Sequence, residues 1–246
     1  LSPSGRGRKY QGLSLEAFVD AVATCGAGRD VVCYGSSLGA YCALYYGGAI
    51  DSRIIAAAPR FPAWPRRADP KYADLVVTHH ELWEVPRSSK APVLIYDRFL
   101  KGDVATIEEM ATRAYPDARH VQTDYAGHGV LVEMSRAKVL SRFIRALVER
   151  DEIIDFDLPT DSPGYMFTKA KTLMRTNPAE ARSLMEQSLE KHPSKHVFLN
   201  LISMMLRSGE IDDARALVER GRSDSTGKLQ LTPQFERMCR EHGIIP

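Results

Sequence analysis

The chain has 246 residues, enough for one large or two modest domains with a buried core. Its composition, 44% hydrophobic and 26% charged, is that of an ordinary folded protein. Against 31 Asp and Glu stand 33 Lys and Arg, a net charge of +2 that gives no basis for a nucleic-acid or membrane-surface partner.

No apolar run approaches the ~20 residues of a membrane-spanning helix. Cys25, Cys33, Cys42 and Cys239 form neither a C-x-x-C pair nor a zinc-ligand spacing, so no metal and no cofactor are expected. Three of them sit in apolar segments, as small core residues do, and a reducing, cytoplasmic setting is the expectation. The chain opens on Leu1 rather than Met, which suggests that an upstream portion is missing.

Leu15 to Cys25 reads as an amphipathic helix started by Ser14, and Val31 to Tyr34 as a buried strand. That strand runs through Gly35-Ser36-Ser37-Leu38-Gly39 into helix formers as far as about Tyr46. An apolar run meeting Gly-x-Ser-x-Gly and then a helix is the layout of a nucleophile elbow, which lifts a serine hydroxyl clear of a sheet. The serine backbone in such a turn is strained, so Gly35 and Gly39 are expected to leave room on either side. The new helix aims its free N–H groups at an oxyanion, with Leu38 as the candidate donor.

Arg53 to Ala58 is a second strand, entering the proline-rich stretch Pro59 to Pro70. Within it, Arg60-Phe61-Pro62-Ala63-Trp64-Pro65-Arg66-Arg67 reads as a solvated loop with its aromatics packed inward. The alternative is that Phe61 and Trp64 line a pocket and the arginines attract an anionic or acyl-carrier-linked substrate. Asp74 to Glu84 reads as helical and carries His79-His80, for which no third metal ligand is in view. Pro92 to Tyr96 is a third strand, Thr106 to Tyr115 a helix, Arg119 to Thr123 a fourth strand and Val130 to Arg150 a long closing helix. The alternation predicts an α/β fold with a mostly parallel sheet of about four strands flanked by helices.

Beyond Arg150 the texture changes. Residues 151–163 are acidic with two prolines and read as a linker, and residues 164–246 carry helical patterns alone. Ala181-Arg182-Ser183-Leu184-Met185-Glu186 and Ala214-Arg215-Ala216-Leu217-Val218-Glu219 match at an offset of about 33 positions. First helices over about 165–175 and 196–207, turns at Asn177-Pro178 and Ser208-Gly209-Glu210, and a last helix near 233–242 complete the pattern. It resembles a short tetratricopeptide-type array, an all-α helical-repeat region. Met174, Met185, Met204 and Met205 fall at helical spacing, as core residues do.

A serine nucleophile needs a base, and a group that orients the base. His128, in the glycine-lined loop Tyr125-Ala126-Gly127-His128-Gly129, follows the fourth strand and can reach the same sheet edge as Ser37. Two acids compete after the third strand: Asp97 at its end, and Asp103 on the following loop, with more freedom to approach His128. The order Ser37, Asp103, His128, together with the segment from Pro92 to Gly129, resembles the last strands and loops of the α/β-hydrolase superfamily.

The resemblance covers about residues 13–150, within an α/β-hydrolase-like domain over 1–150 that lacks the family's N-terminal strands. It implies a serine esterase or thioesterase acting through an acyl-enzyme, with no visible source for a second oxyanion donor and an unpaired apolar edge at Val31 to Tyr34. The implied substrate is a small-molecule or acyl-linked ester. The rivals are an acyltransferase with the same residues, and an inactive scaffold whose helical repeats bind a protein partner.

Overall fold

A computed structural model describes residues 12–67, 70–73, 75–223 and 231–245. The chain divides into two compact units, Leu1–Leu158 and Pro159–Pro246. The first is built on a four-stranded sheet in the order β1 (Val32–Ser36), β2 (Arg53–Ala57), β3 (Val93–Asp97), β4 (Arg119–Thr123), every pair parallel. Each strand lies beside its predecessor because a helical or looped crossover returns the chain to the same edge.

The strands are apolar on both faces, as a covered parallel sheet requires. Ile54, Ala56, Leu94 and Tyr96 point to one face and pack with α2 (Leu38–Gly47) and residues 107–115. Ile55, Ala57, Val93 and Ile95 point to the other and pack with α4 (Val130–Arg136) and α5 (Leu140–Arg150), as the period of two dictates. Each large side chain buried here, such as Leu44 or Leu94, contributes about 1.5–3 kcal/mol by leaving water. Among the described residues β1 pairs with β2 alone, and Tyr34 on this edge is exposed.

Helix α1 (Leu15–Gly26) begins where expected, with the Ser14 hydroxyl accepting the Ala17 N–H at 3.1 Å. Phe18 from α1 packs against Tyr46 of α2. Three expectations fail. Residues 75–84 form no helix, and Asp74 lies outside the described residues. Instead, exposure alternates residue by residue from Leu75 to Glu81, the mark of extended chain. The β-branched run Val76-Val77-Thr78 favours that conformation.

His79 therefore sits not on a helix face but among the tyrosines of α2, stacked on Tyr45 with ring centroids 4.1 Å apart. Tyr46 donates its hydroxyl proton to the Leu13 carbonyl, so its oxygen accepts from His79 Nε2 at 3.0 Å. His79 Nδ1 then accepts from Tyr41 at 2.9 Å. Phe61 stacks on Tyr41 and Trp64 Nε1 donates to Glu81 at 2.8 Å, so both aromatics do pack inward. With Val77 and His79 they line a small cavity of about 190 Å³.

The closing helix is two helices. Lys138 takes a left-handed backbone, φ 59°, between α4 and α5, and the Val139 N–H reaches back to the Met134 carbonyl. The stretch after α5 is not all linker. Ile154, Phe156 and Leu158 alternate inward against the face formed by Phe143 and Leu147, so the first unit runs to Leu158.

The second unit is a helical-repeat region: α6 (Pro163–Leu173), α7 (Pro178–Lys191), α8 (Lys195–Arg207), α9 (Ile211–Ser223) and α10 (Pro233–Glu241). Ser162, Asn177, Ser194 and Thr232 each cap a helix by accepting a backbone N–H. The matching positions Ala181 and Ala214 are both fully buried, as are Met185 and Val218, so the sequence match is a match of core positions. Met205 joins that core, with Met174 and Met204 packed against it.

Candidate active site

Ser37 occupies the turn between β1 and α2 with φ 55° and ψ −119°, a conformation costly for a residue with a Cβ. Its N–H donates to the Ala57 carbonyl at 2.9 Å, and its carbonyl accepts from Arg60 and Tyr41 N–H groups. A Cβ on Gly35 would lie 2.3 Å from the Gly39 carbonyl, so position 35 must be glycine. Gly39 differs from expectation: a Cβ there meets nothing within 4 Å. The close approach needs Gly35 bare and the backbone of Gly39 near it.

Positive φ recurs around this sheet edge. Ala58 (φ 45°) follows β2, while Tyr125 (φ 55°) and Gly127 (φ 68°) follow β4. Strained backbone gathered at one edge is a feature that functional sites accumulate.

Here the chain brings together Ser37, His128 and Asp103. His128 Nε2 lies 2.8 Å from Ser37 Oγ, and His128 Nδ1 lies 2.6 Å from Asp103 Oδ2. An ionised carboxylate only accepts, so the proton on Nδ1 donates to Asp103 and Nε2 is left to accept from the Ser37 hydroxyl. The Asp103 side chain is wholly buried, that of His128 is 34% exposed, and Ser37 is half-buried. Asp103 does not sit on a loop. A tight turn at Leu100 starts α3 (Lys101–Thr106) five residues before the expected helix, so Asp103 lies in its first turn. The helix continues as a π-helical stretch, Ile107–Thr112.

Asp97, the competing acid, binds backbone instead. Its Oδ1 accepts from Phe99 N–H at 2.8 Å and Tyr125 N–H at 3.2 Å, and its Oδ2 from Gly127 N–H at 2.7 Å. Burial pushes its carboxyl above the usual carboxylate range, against the pull of those three N–H groups. The effect is to hold the loop that carries His128, which the stacked Phe99 and Tyr125 rings, 4.3 Å apart, also pin. Leu38 stands at the first position of α2, where helix N–H groups have no partner within the helix.

The residue that sequence reasoning underused is Arg60. Its Nη2 donates to Asp103 Oδ1 at 2.7 Å. The available signal was its position just past the end of β2, on the same edge as Ser37. Burial raises the thiol pKa of Cys33, and pushes that of Cys42 up to about 12, as for core cysteines; all four cysteines are free, and Cys25 is exposed. Among the described residues no group of three metal-ligating side chains converges, and no helix is long and apolar enough to cross a membrane.

No protein-family model matches the chain, no curated protein matches it, and no solved structure matches it. Its architecture is a small parallel sheet flanked by helices, followed by a helical-repeat region.

Proposed function

We propose that the first unit is a serine hydrolase of the α/β-hydrolase type that cleaves an ester or thioester through an acyl-enzyme on Ser37. One observation carries the reading: the hydrogen-bond chain from the Ser37 hydroxyl through His128 to the buried Asp103. A hydroxyl has no strong nucleophilicity at its own pKa, and a neighbouring imidazole that accepts its proton supplies it.

In the proposed reaction His128 Nε2 takes the Ser37 proton as Oγ attacks the carbonyl carbon. Asp103 holds the imidazole in the tautomer that can accept, and offsets the charge of the imidazolium that forms. The Leu38 N–H donates to the tetrahedral oxyanion, and a group of this kind is worth about 10²–10³ in rate. His128 then protonates the leaving alcohol or thiol as the carbon–oxygen or carbon–sulfur bond breaks. Water, deprotonated by the same imidazole, attacks the acyl-Ser37 ester, releasing the acid and restoring the serine.

Labelling with a fluorophosphonate tests this. Wild-type chain should gain one adduct on the peptide carrying Ser37, Ser37→Ala should gain none, and His128→Ala should label slower by at least about 10², the contribution typical of general-base assistance. Equal labelling of wild type and Ser37→Ala rules the reading out.

A further inference from the structure

Four residues around Ser37 close into a ring. The Ser37 hydroxyl meets His128, His128 meets Asp103 Oδ2, Arg60 Nη2 donates to Asp103 Oδ1 at 2.7 Å, and the Arg60 backbone N–H returns to the Ser37 carbonyl at 3.0 Å. Arg60 thus touches both ends of the hydrogen-bond chain, through its backbone at the serine and its guanidinium at the acid. Asp103 is buried completely while the Arg60 side chain is 40% exposed, so the carboxylate has little solvent and depends on its two partners.

We propose that Arg60 is a positioning residue for the reaction at Ser37, acting through Asp103. This rests on the serine-hydrolase reading of the site. By occupying Oδ1, Arg60 fixes the rotation of the carboxylate so that Oδ2 faces His128 Nδ1. By opposing the carboxylate charge it also offsets the cost of keeping Asp103 buried without solvent. A guanidinium suits this role because its planar fork holds a carboxylate in one orientation, which an ammonium does not.

The other charged groups on the elements packed around His128 are Asp97 at the end of β3, Lys101 on α3, Glu133 on α4 and Asp124 in the loop before it. Glu133 is paired with Arg136 and Asp124 with Arg98. All of these remain in an Arg60 variant, so a change in the His128–Asp103 hydrogen bond reports Arg60.

The test uses the full 246-residue chain as wild type, Arg60→Gln and Arg60→Lys, with the hydrogen-bonded Nδ1–H proton of His128 followed by nuclear magnetic resonance and Ser37 labelling by fluorophosphonate followed in parallel. In Arg60→Gln the freed carboxylate should shift or broaden the His128 Nδ1–H resonance, and labelling should slow several-fold. Arg60→Lys keeps the charge but not the planar fork, so it should also label several-fold more slowly than wild type.

An identical His128 Nδ1–H resonance in wild type and Arg60→Gln would overturn the proposal, as would wild-type labelling by Arg60→Lys, which decides the matter alone should Arg60→Gln not fold. The resonance reads without turnover. Absence of Ser37 labelling in wild type would therefore sink the hydrolase reading while leaving the Arg60 effect on His128 measurable.

Discussion

Asp97 accepts the N–H of Gly127 at 2.7 Å, one residue ahead of His128, and so fixes where that histidine stands. The two acids after β3 divide the work: Asp103 binds the imidazole, and Asp97 binds the backbone that presents it. Replacing Asp97 by Asn leaves a weaker acceptor set and turns an N–H₂ toward backbone donors. Asp97→Asn should cost about 1–3 kcal/mol in urea unfolding.

The same carboxyl sets a pH dependence with a definite sign. Burial raises its folded-state pKa above the ordinary aspartate value of 3.8, so the folded chain holds the proton more tightly than the unfolded one. The stability this group contributes is complete below the unfolded value and is lost as pH rises through the folded one. The advantage of wild type over Asp97→Asn should therefore shrink as pH rises above 3.8. Urea unfolding of both chains over a pH series checks it, and an advantage that grows over that range contradicts the assignment.

The two glycines of Gly-x-Ser-x-Gly should respond oppositely to alanine. At Gly35 the new Cβ would meet the Gly39 backbone at 2.3 Å, so Gly35→Ala must push β1 and α2 apart and should abolish Ser37 labelling. At Gly39 there is open space, and alanine in the first turn of α2 should stabilise by about 0.5–1 kcal/mol. Thermal unfolding with labelling separates the two, and equal damage from both would refute the packing argument.

His79 clamps the extended segment 75–82 to α2 through both ring nitrogens. His79→Phe keeps the stacking on Tyr45 but strands the buried Tyr41 hydroxyl, and should cost about 1–3 kcal/mol. His79→Ala also removes the stacked ring and should cost more, about 2–4 kcal/mol, less than a wholly buried ring would because His79 is half-buried. Denaturant unfolding should rank them in that order. No loss in either variant would mean that the cluster is not a clamp.

Much of the fold is legible in the chain because its signals are local. The apolar runs give all four strands to within two residues, and Ser14, Asn177 and the repeated alanines mark the helices. What misleads is competition between signals. Leu75 to Leu82 is apolar enough for a helix, but Val76-Val77-Thr78 is β-branched and tyrosines wait for His79 across the fold. In residues 151–158 the acidic residues hide the alternation of Ile154, Phe156 and Leu158.

At the site, motif and chain order point to Ser37 and His128 and leave Asp97 and Asp103 in competition, and the fold brings Asp103 within hydrogen-bond distance of His128. Sequence places Asp97 and Arg60 at strand ends on the edge that carries Ser37, but not the partners they bind. The first makes backbone contacts, and the second meets an acid 43 positions away.

The repeat match predicts equivalent sensitivity in the second unit. Ala181 and Ala214 occupy corresponding core positions with no exposure, so Ala181→Leu and Ala214→Leu should each overpack the helical core and cost about 1–3 kcal/mol. Helical circular dichroism through a denaturant series checks it, and a neutral effect at either position would break the correspondence.

The measurement closest to the central claim is the mass of the intact chain during reaction with activated acyl esters and thioesters, sampled before steady state. An acyl-enzyme on Ser37 predicts a transient adduct of one acyl group per chain, mapped to Ser37, which decays by hydrolysis, forms far more slowly in His128→Ala, and never forms in Ser37→Ala. An acyl adduct that forms equally well without Ser37, or no adduct across the whole series, would contradict it.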